Sequence, residues 1–185
     1  MFFADLKFMA IFSMLFGAGV ILATQRRDQA GQRTWSYHYA RTFWLLIFGM
    51  IHAYFIWYGD ILVTYALCGF VVYWFRNLSV PVLFFIGGIS LLIALLIMMS
   101  AGVAPADVQQ GILRDFVPTR TEIDREIAAY RGTWSDVQNA RLIEALDIQF
   151  AGNPFFLFWR AGGLMLIGMA LFKLGVFSAT RSVKF

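Results

Sequence analysis

Cysteine is almost absent from this chain. Cys68 is the single one, set inside an apolar run, so no intrachain disulfide can form and packing is the role that suits it. Histidine is nearly as scarce, with only His38 and His52, and a protein-held transition-metal site is not expected from so few soft ligands. There is no phosphate-binding glycine loop and no hydrolase nucleophile elbow. Charged residues make up 14% of the chain, against roughly 25% in an ordinary soluble domain. The start lacks the basic, apolar and small-residue regions of a signal peptide, because Met1 begins almost on top of an apolar run.

What is present is apolar and arranged in blocks. The 185 residues are 60% hydrophobic and 18% aromatic. Blocks of about 18 or more apolar residues read as bilayer spans, each needing about 20 residues to cross the hydrocarbon. The pattern predicts an all-α membrane protein, one transmembrane domain over 1–185, with about five transmembrane helices. They fall at about Leu6–Ala23, Thr42–Tyr58, Ile61–Phe75, Val80–Ala101 and Pro154–Phe177, and the third is short. Pro154 suits a first helical turn, where no backbone N–H is needed.

Basic residues set an orientation. Arg26, Arg27, Arg33 and Arg41 lie between the first two spans, Arg76 follows the third, and Arg181 and Lys184 follow the fifth. Alternating spans place all of these on one side, and short basic loops stay in the cytoplasm. The Gly59-Asp60 turn and the long segment 102–153, richer in acids than bases, then face outward. Within that loop Thr119–Glu122 and Ser135–Gln138 fit the capping-box pattern. They predict two short helices, about Arg120–Tyr130 and Asp136–Phe150, lying on the membrane surface, covering the bundle or merely connecting two spans.

Ionisable side chains at bilayer depth are functional-site candidates. His52 lies about seven residues, roughly 10 Å, below the outer end of its helix. Asp60 sits at the outer turn, Asp5 and Lys7 at the mouth of the first span, and Arg160 about a turn and a half into the fifth. His52 and Asp60 are the candidate catalytic pair, a carboxylate orienting an imidazole that accepts a proton. Arg160, Lys7 and Asp5 are candidate substrate-binding residues. The structural alternatives are that Lys7 and Asp5 reach headgroups, Asp60 caps a helix and His52 bonds a neighbouring helix. Lys173, near the inner end, reads as snorkelling. Ser13, Gly17 and Gly19, and Gly162, Gly163 and Gly168, form small-residue stripes that let helices approach.

Four segments resemble the YeiB-type family, bacterial inner-membrane proteins with a domain of unknown function. They are Lys7-Phe8 through Phe12–Gly19 (FSMLFGAG), Phe48–Leu62 (FGMIHAYFIWYGDIL), Tyr65–Phe70 (YALCGF) and Arg160–Phe177 (RAGGLMLIGMALFKLGVF). The resemblance implies a multi-pass protein of the bacterial plasma membrane. Family members usually begin with another span and continue beyond the fifth, so the chain reads as an internal piece.

Ala4-Asp5-Leu6 with Phe16-Gly17 is remotely similar to transmembrane acyltransferases of the heparan-glucosaminide acetyltransferase type. That similarity implies an acyl-CoA-type thioester carrier on the cytoplasmic side and a small-molecule acceptor outside. The histidine proposed as catalytic there lies upstream of the Ala-Asp-Leu, so His52 is not its counterpart. Three function classes stay open: acyltransferase, transporter or channel-like protein, and structural membrane protein. The partners expected are the lipid bilayer, an acyl carrier and its acceptor, with no nucleic acid.

Overall fold

The computed structural model describes residues 2–103, 105, 109, 119–151 and 154–177, and every regular element among them is helical. Helix α1 spans Phe2–Gln29 and α2 spans Thr34–Ile51, continuing as a wide π turn over His52–Ile56. Helix α3 covers Leu62–Val72 with a tight turn at Tyr73–Phe75, and α4 covers Val80–Gly102. Two helices follow in the long loop, α5 at Arg120–Tyr130 and α6 at Trp134–Leu146, the latter ending in a π turn at Asp147–Ala151. Helix α7 runs from Pro154 to Lys173.

Four stretches are long and apolar enough to cross a membrane: Lys7–Gln29, Thr34–Ile56, Val80–Ser100 and Phe155–Lys173. The expected third span is shorter than that. Its 11 α-helical residues and three-residue tight turn reach about 20 Å, against a hydrocarbon core of about 30 Å. The second helix starts eight residues earlier than about Thr42, at Thr34. Large apolar side chains such as Phe12, Phe48, Phe85, Leu96 and Met99 point outward, as lipid-facing residues do.

Glycine ends two of these helices. Gly31 (φ +66°) and Gly175 (φ +78°) take the left-handed conformation that closes a helix. Gln32 and Gly31 donate to the carbonyls of Arg27 and Asp28, and Val176 and Gly175 to those of Leu171 and Phe172. The last apolar residues before Phe177 are therefore a turn and not the end of a helix.

Packing centres on α7, which lies against α1, α3 and α4. At the α1–α7 crossing a Cβ on Gly17 would overlap the Met165 carbonyl, and one on Gly168 the Met14 carbonyl. Backbone meets backbone there. Gly163 and Gly87 make a similar contact between α7 and α4, where a Cβ on Gly163 would come 2.9 Å from the Gly87 carbonyl oxygen. Such approach gives dispersion contact between helices that gain nothing from leaving lipid for one another. Gly19 behaves otherwise: a Cβ there would meet nothing within 4 Å. Ile21, Leu83, Met165 and Met169 fill the core.

The first capping box forms as the pattern predicts, with Thr119 and Glu122 exchanging backbone and side-chain bonds. The second does not use Ser135 and Gln138. Thr133 is the cap, its N–H donating to Asp136 Oδ2 at 2.8 Å while its hydroxyl accepts from Asp136 N at 3.4 Å. Gln138 is engaged elsewhere, donating to the Tyr54 carbonyl at 2.6 Å. Residues 104, 106–108, 110–118, 152 and 153 of the expected 102–153 loop lie outside the described residues.

Candidate functional site

The wide turn at His52–Ile56 builds the site. An α-helix closes each ring with the carbonyl four residues back, whereas Trp57 N–H here donates to His52 O at 2.8 Å, five residues back. The helix also ends at Ile56, so carbonyls of its last turn have no intrahelical donor and are open to side chains. Those of Tyr54 and Phe55 are taken by Gln138 and Arg141 of α6, each at 2.6 Å, and the Tyr54 hydroxyl donates to Gln149 at 2.8 Å. The loop hairpin is thus fastened to the end of α2 that carries His52.

Asp60 follows four residues after that turn. Its Oδ2 accepts from Val63 N–H at 3.0 Å, so the carboxylate serves the start of α3. Its Oδ1 lies 2.9 Å from His52 Nδ1. The ring N–H is not directed along that line, and Nδ1 consequently has no aligned hydrogen-bond partner despite the short distance. The distance fixes the neighbourhood, and ring rotation decides the bond. The Asp60 side chain is 2% exposed and that of His52 32%, so the carboxylate is shielded while the imidazole is reachable. Trp57 stands edge-on to the imidazole, 6.4 Å between ring centres.

Arg160 joins a different neighbourhood. Its Nη1 is 3.5 Å from Met9 Sδ on α1, and its guanidinium stands 6.0 Å from the Phe156 ring centre. Nearby, the Tyr65 hydroxyl donates to the Met9 carbonyl at 3.0 Å and lies 3.0 Å from Ser13 Oγ. The structure brings His52 and Asp60 together and sets Arg160 beside α1. Lys7 is exposed, and the side chain of Asp5 lies outside the described residues. Lys173 does more than reach for the interface: its ammonium donates to the Leu78 carbonyl at 2.7 Å and ties α7 to the turn before α4.

His38 is the polar residue that sequence reasoning passed over. It is buried, with Nε2 2.9 Å from the Gly69 carbonyl and 3.3 Å from Thr42 Oγ1. Its ring stacks on Tyr73 at 4.7 Å, and the Tyr73 hydroxyl lies 3.0 Å from Thr34 Oγ1. Arg76 joins the cluster, its guanidinium 4.2 Å from the Tyr73 ring centre and its Nη2 donating to Thr34 Oγ1 at 3.4 Å. The i, i+4 spacing of Thr34, His38 and Thr42 was the available signal, since those positions share one helix face. Among the described residues no group of three or more His, Cys, Asp or Glu side chains could hold a metal ion.

No family model matches this chain, and no solved structure does. It is similar to the uncharacterized protein YeiB of Escherichia coli (strain K12), 31% identical over 181 residues, which cover 92% of this chain and 42% of that protein. The uncharacterized protein YxaH of Bacillus subtilis (strain 168) is 45% identical over 76 residues, 41% of this chain and 19% of that protein. The chain spans less than half the length of these curated relatives. The similarity to YeiB accords with the four segments read from the sequence.

Proposed function

We infer that this membrane protein transfers an acyl group, with His52 as general base and Asp60 as its orienting carboxylate. The observation that carries the reading is the 2.9 Å approach of a shielded Asp60 to a partly exposed His52. With the ring rotated so that its Nδ1–H aims at Asp60, the carboxylate favours the tautomer whose Nε2 accepts a proton and steadies the imidazolium that forms. With the acyl arm of a cytoplasmic carrier reaching through the bundle to this outer pair, an acceptor hydroxyl or amine gives that proton to Nε2 as it attacks the thioester carbonyl. The carbon–sulfur bond then breaks, and the departing thiolate takes the proton from His52.

The choice of acyl chemistry rests on the remote resemblance at Ala4-Asp5-Leu6 and is an analogy. Placement in the bacterial plasma membrane, with segment 102–153 outside, rests on the alternation of basic and acidic connections. In that orientation His52 and Asp60 face the outer side, where an acceptor arrives. A transporter would use the same pair as a proton path, and a structural protein would not need it.

The test is transfer of a labelled acyl group from a thioester carrier to an acceptor by protein in sealed vesicles, wild type against His52→Ala. General bases contribute about 10²–10⁴-fold, and a loss of that order per folded molecule supports the reading. Equal specific activity in the variant removes His52 from the mechanism. Proton-coupled solute uptake without acyl transfer assigns the pair to transport instead.

A further inference from the structure

We propose that the wedge between α1 and α2 at the arginine-rich end is a binding site for an anionic phospholipid. Its phosphate would sit among Arg26, Arg27 and Arg41, and one acyl chain would lie over Gly19. Its arginine chamber lies about three helical turns along α2 from His52, and the proposal does not depend on the acyl-transfer reading.

Three cavities that share lining residues lie side by side there. One of about 590 Å³ is lined by Arg26, Arg27, Arg41 and Tyr37 with Gly19 at its floor. A second, of about 290 Å³, shares Gly19 and Arg41 and continues between Leu15, Phe16 and Leu45 with His38 and Thr42 at its α2 wall. A third, of about 400 Å³, shares Tyr37 and Arg41 and runs down α2 past Trp44 and Phe48. The arrangement is a charged head chamber that continues on one side into a mixed cleft beside His38 and Thr42 and on the other into an apolar trough along α2, a polarity that suits a phosphate head and an acyl chain.

The arginines are positioned rather than merely numerous. Arg27 packs over the Tyr37 ring at 3.9 Å, and Arg41 stands 5.5 Å from the same ring centre. Tyr37 thereby anchors two of the three guanidinium groups that line the same chamber, and an anion held there offsets their like charge. Guanidinium groups match phosphate oxygens in pairs. Basic pockets between membrane helices are known sites for anionic head groups.

Gly19 keeps the trough open. It stands two residues after Gly17, which is pressed against α7, and therefore points to the other side of α1. A Cβ at Gly19 would meet open space, so tight helix packing does not explain glycine there. The trough walls Leu15, Trp44 and Phe48 are themselves about half exposed, which makes the opening lateral, toward lipid. That lateral entry favours a membrane lipid over a water-soluble acyl thioester, although both join phosphate to an acyl chain.

The test is native mass spectrometry of the chain released from vesicles of equal phosphatidylglycerol and phosphatidylcholine. Wild type should retain phosphatidylglycerol about tenfold over phosphatidylcholine, and Arg27→Gln with Arg41→Gln should bring the ratio near one. Gly19→Leu should lower retention of both lipids while leaving thermal stability in place, because a Cβ there meets nothing within 4 Å and the cavities that Gly19 lines leave space for the rest of the side chain. Equal retention of the two lipids by wild type overturns the proposal. So does full retention in Gly19→Leu, which would put the chain elsewhere. Displacement of bound phosphatidylglycerol by palmitoyl-CoA, at concentrations where added phosphatidylglycerol fails, reassigns the wedge to a thioester carrier and overturns the lipid. If the double variant does not fold, the wild-type ratio and the palmitoyl-CoA competition decide.

Discussion

Arg141 donates to the carbonyl oxygen of Phe55 at 2.6 Å, across 86 residues of sequence. Gln138, one turn earlier on α6, does the same for Tyr54. The two bonds occupy carbonyls at the wide turn that begins with His52, so the loop hairpin and the site are mechanically one piece. Removing both donors by Gln138→Ala with Arg141→Ala should cost about 0.5–1.5 kcal/mol for the part-buried Gln138 bond and less for the exposed Arg141 bond. Amide hydrogen exchange over residues 52–58 should accelerate first, with the α1–α7 crossing unchanged. Uniform acceleration through the bundle would contradict a local fastening role.

Glycine positions separate by what they face. Gly168→Leu should destabilise severely, by more than about 4 kcal/mol, because the side chain would have to displace the Met14 backbone. Gly19→Leu should fold at wild-type level. The check is the monodisperse fraction surviving heating in detergent. Similar losses in the two variants would mean that the stripe acts through helix propensity and not through contact.

The sequence made Gly17 and Gly168 visible as packing residues, yet Gly19 and Gly162 looked the same and pack loosely or not at all. Spacing on a helix indicates which positions share a face, and the identity of the facing helix is tertiary information. Four of the five expected spans, the two loop helices and the Thr119–Glu122 cap were legible because hydropathy and capping are local, whereas the third apolar run folds as a helix too short to cross. The Thr133–Asp136 cap obeys the same spacing, but Ser135 and Gln138 offered a competing match that was settled by Gln138 bonding to Tyr54. The π turn at His52 was not legible, since its open carbonyls are satisfied by α6 from far along the chain. For the site, proximity of His52 and Asp60 followed from their place at one helix end. The different company kept by Arg160 did not.

The hairpin should respond to pH in two opposed ways. Burial, and then the nearby Glu126 charge, push the Glu144 carboxyl above its ordinary 4.5. Its folded state holds the proton more tightly, so stability is greatest below the unfolded value and declines as pH rises through the raised folded value. Asp136 runs the other way: the Thr133 hydroxyl and backbone N–H hold its carboxyl below 3.8, and its contribution is lost as pH falls through that lowered value. Glu144→Gln should therefore slow hairpin hydrogen exchange at neutral pH, by an amount worth less than about 1 kcal/mol given its partial exposure. Exchange that instead quickens would show that the charge is paired and useful.

Orientation has a direct check. In Cys68→Ala protein, Glu126→Cys on α5 should label from outside intact cells with an impermeant thiol reagent, and Gln32→Cys between α1 and α2 should not. The reverse pattern would invert the charge-based topology. Cys68 itself, fully buried with its Sγ 3.4 Å from the Phe158 carbonyl, should resist the reagent in unsubstituted protein from either side.

The backbone contact between α1 and α7 also bears on how the molecule is made. Met14 and Gly168 are about 150 positions apart, and neither helix can complete the crossing without the other. During synthesis α1 enters the bilayer early and must wait, its glycine face unmatched, until the ribosome has delivered α7. Ser13 is part of that waiting face and bonds its own helix through the Met9 carbonyl at 2.8 Å, so its hydroxyl is provided for before any neighbour arrives. Assembly is thereby governed by the last described helix to emerge, and a chain truncated before residue 154 would leave α1 inserted but unmated, a target for membrane proteolysis.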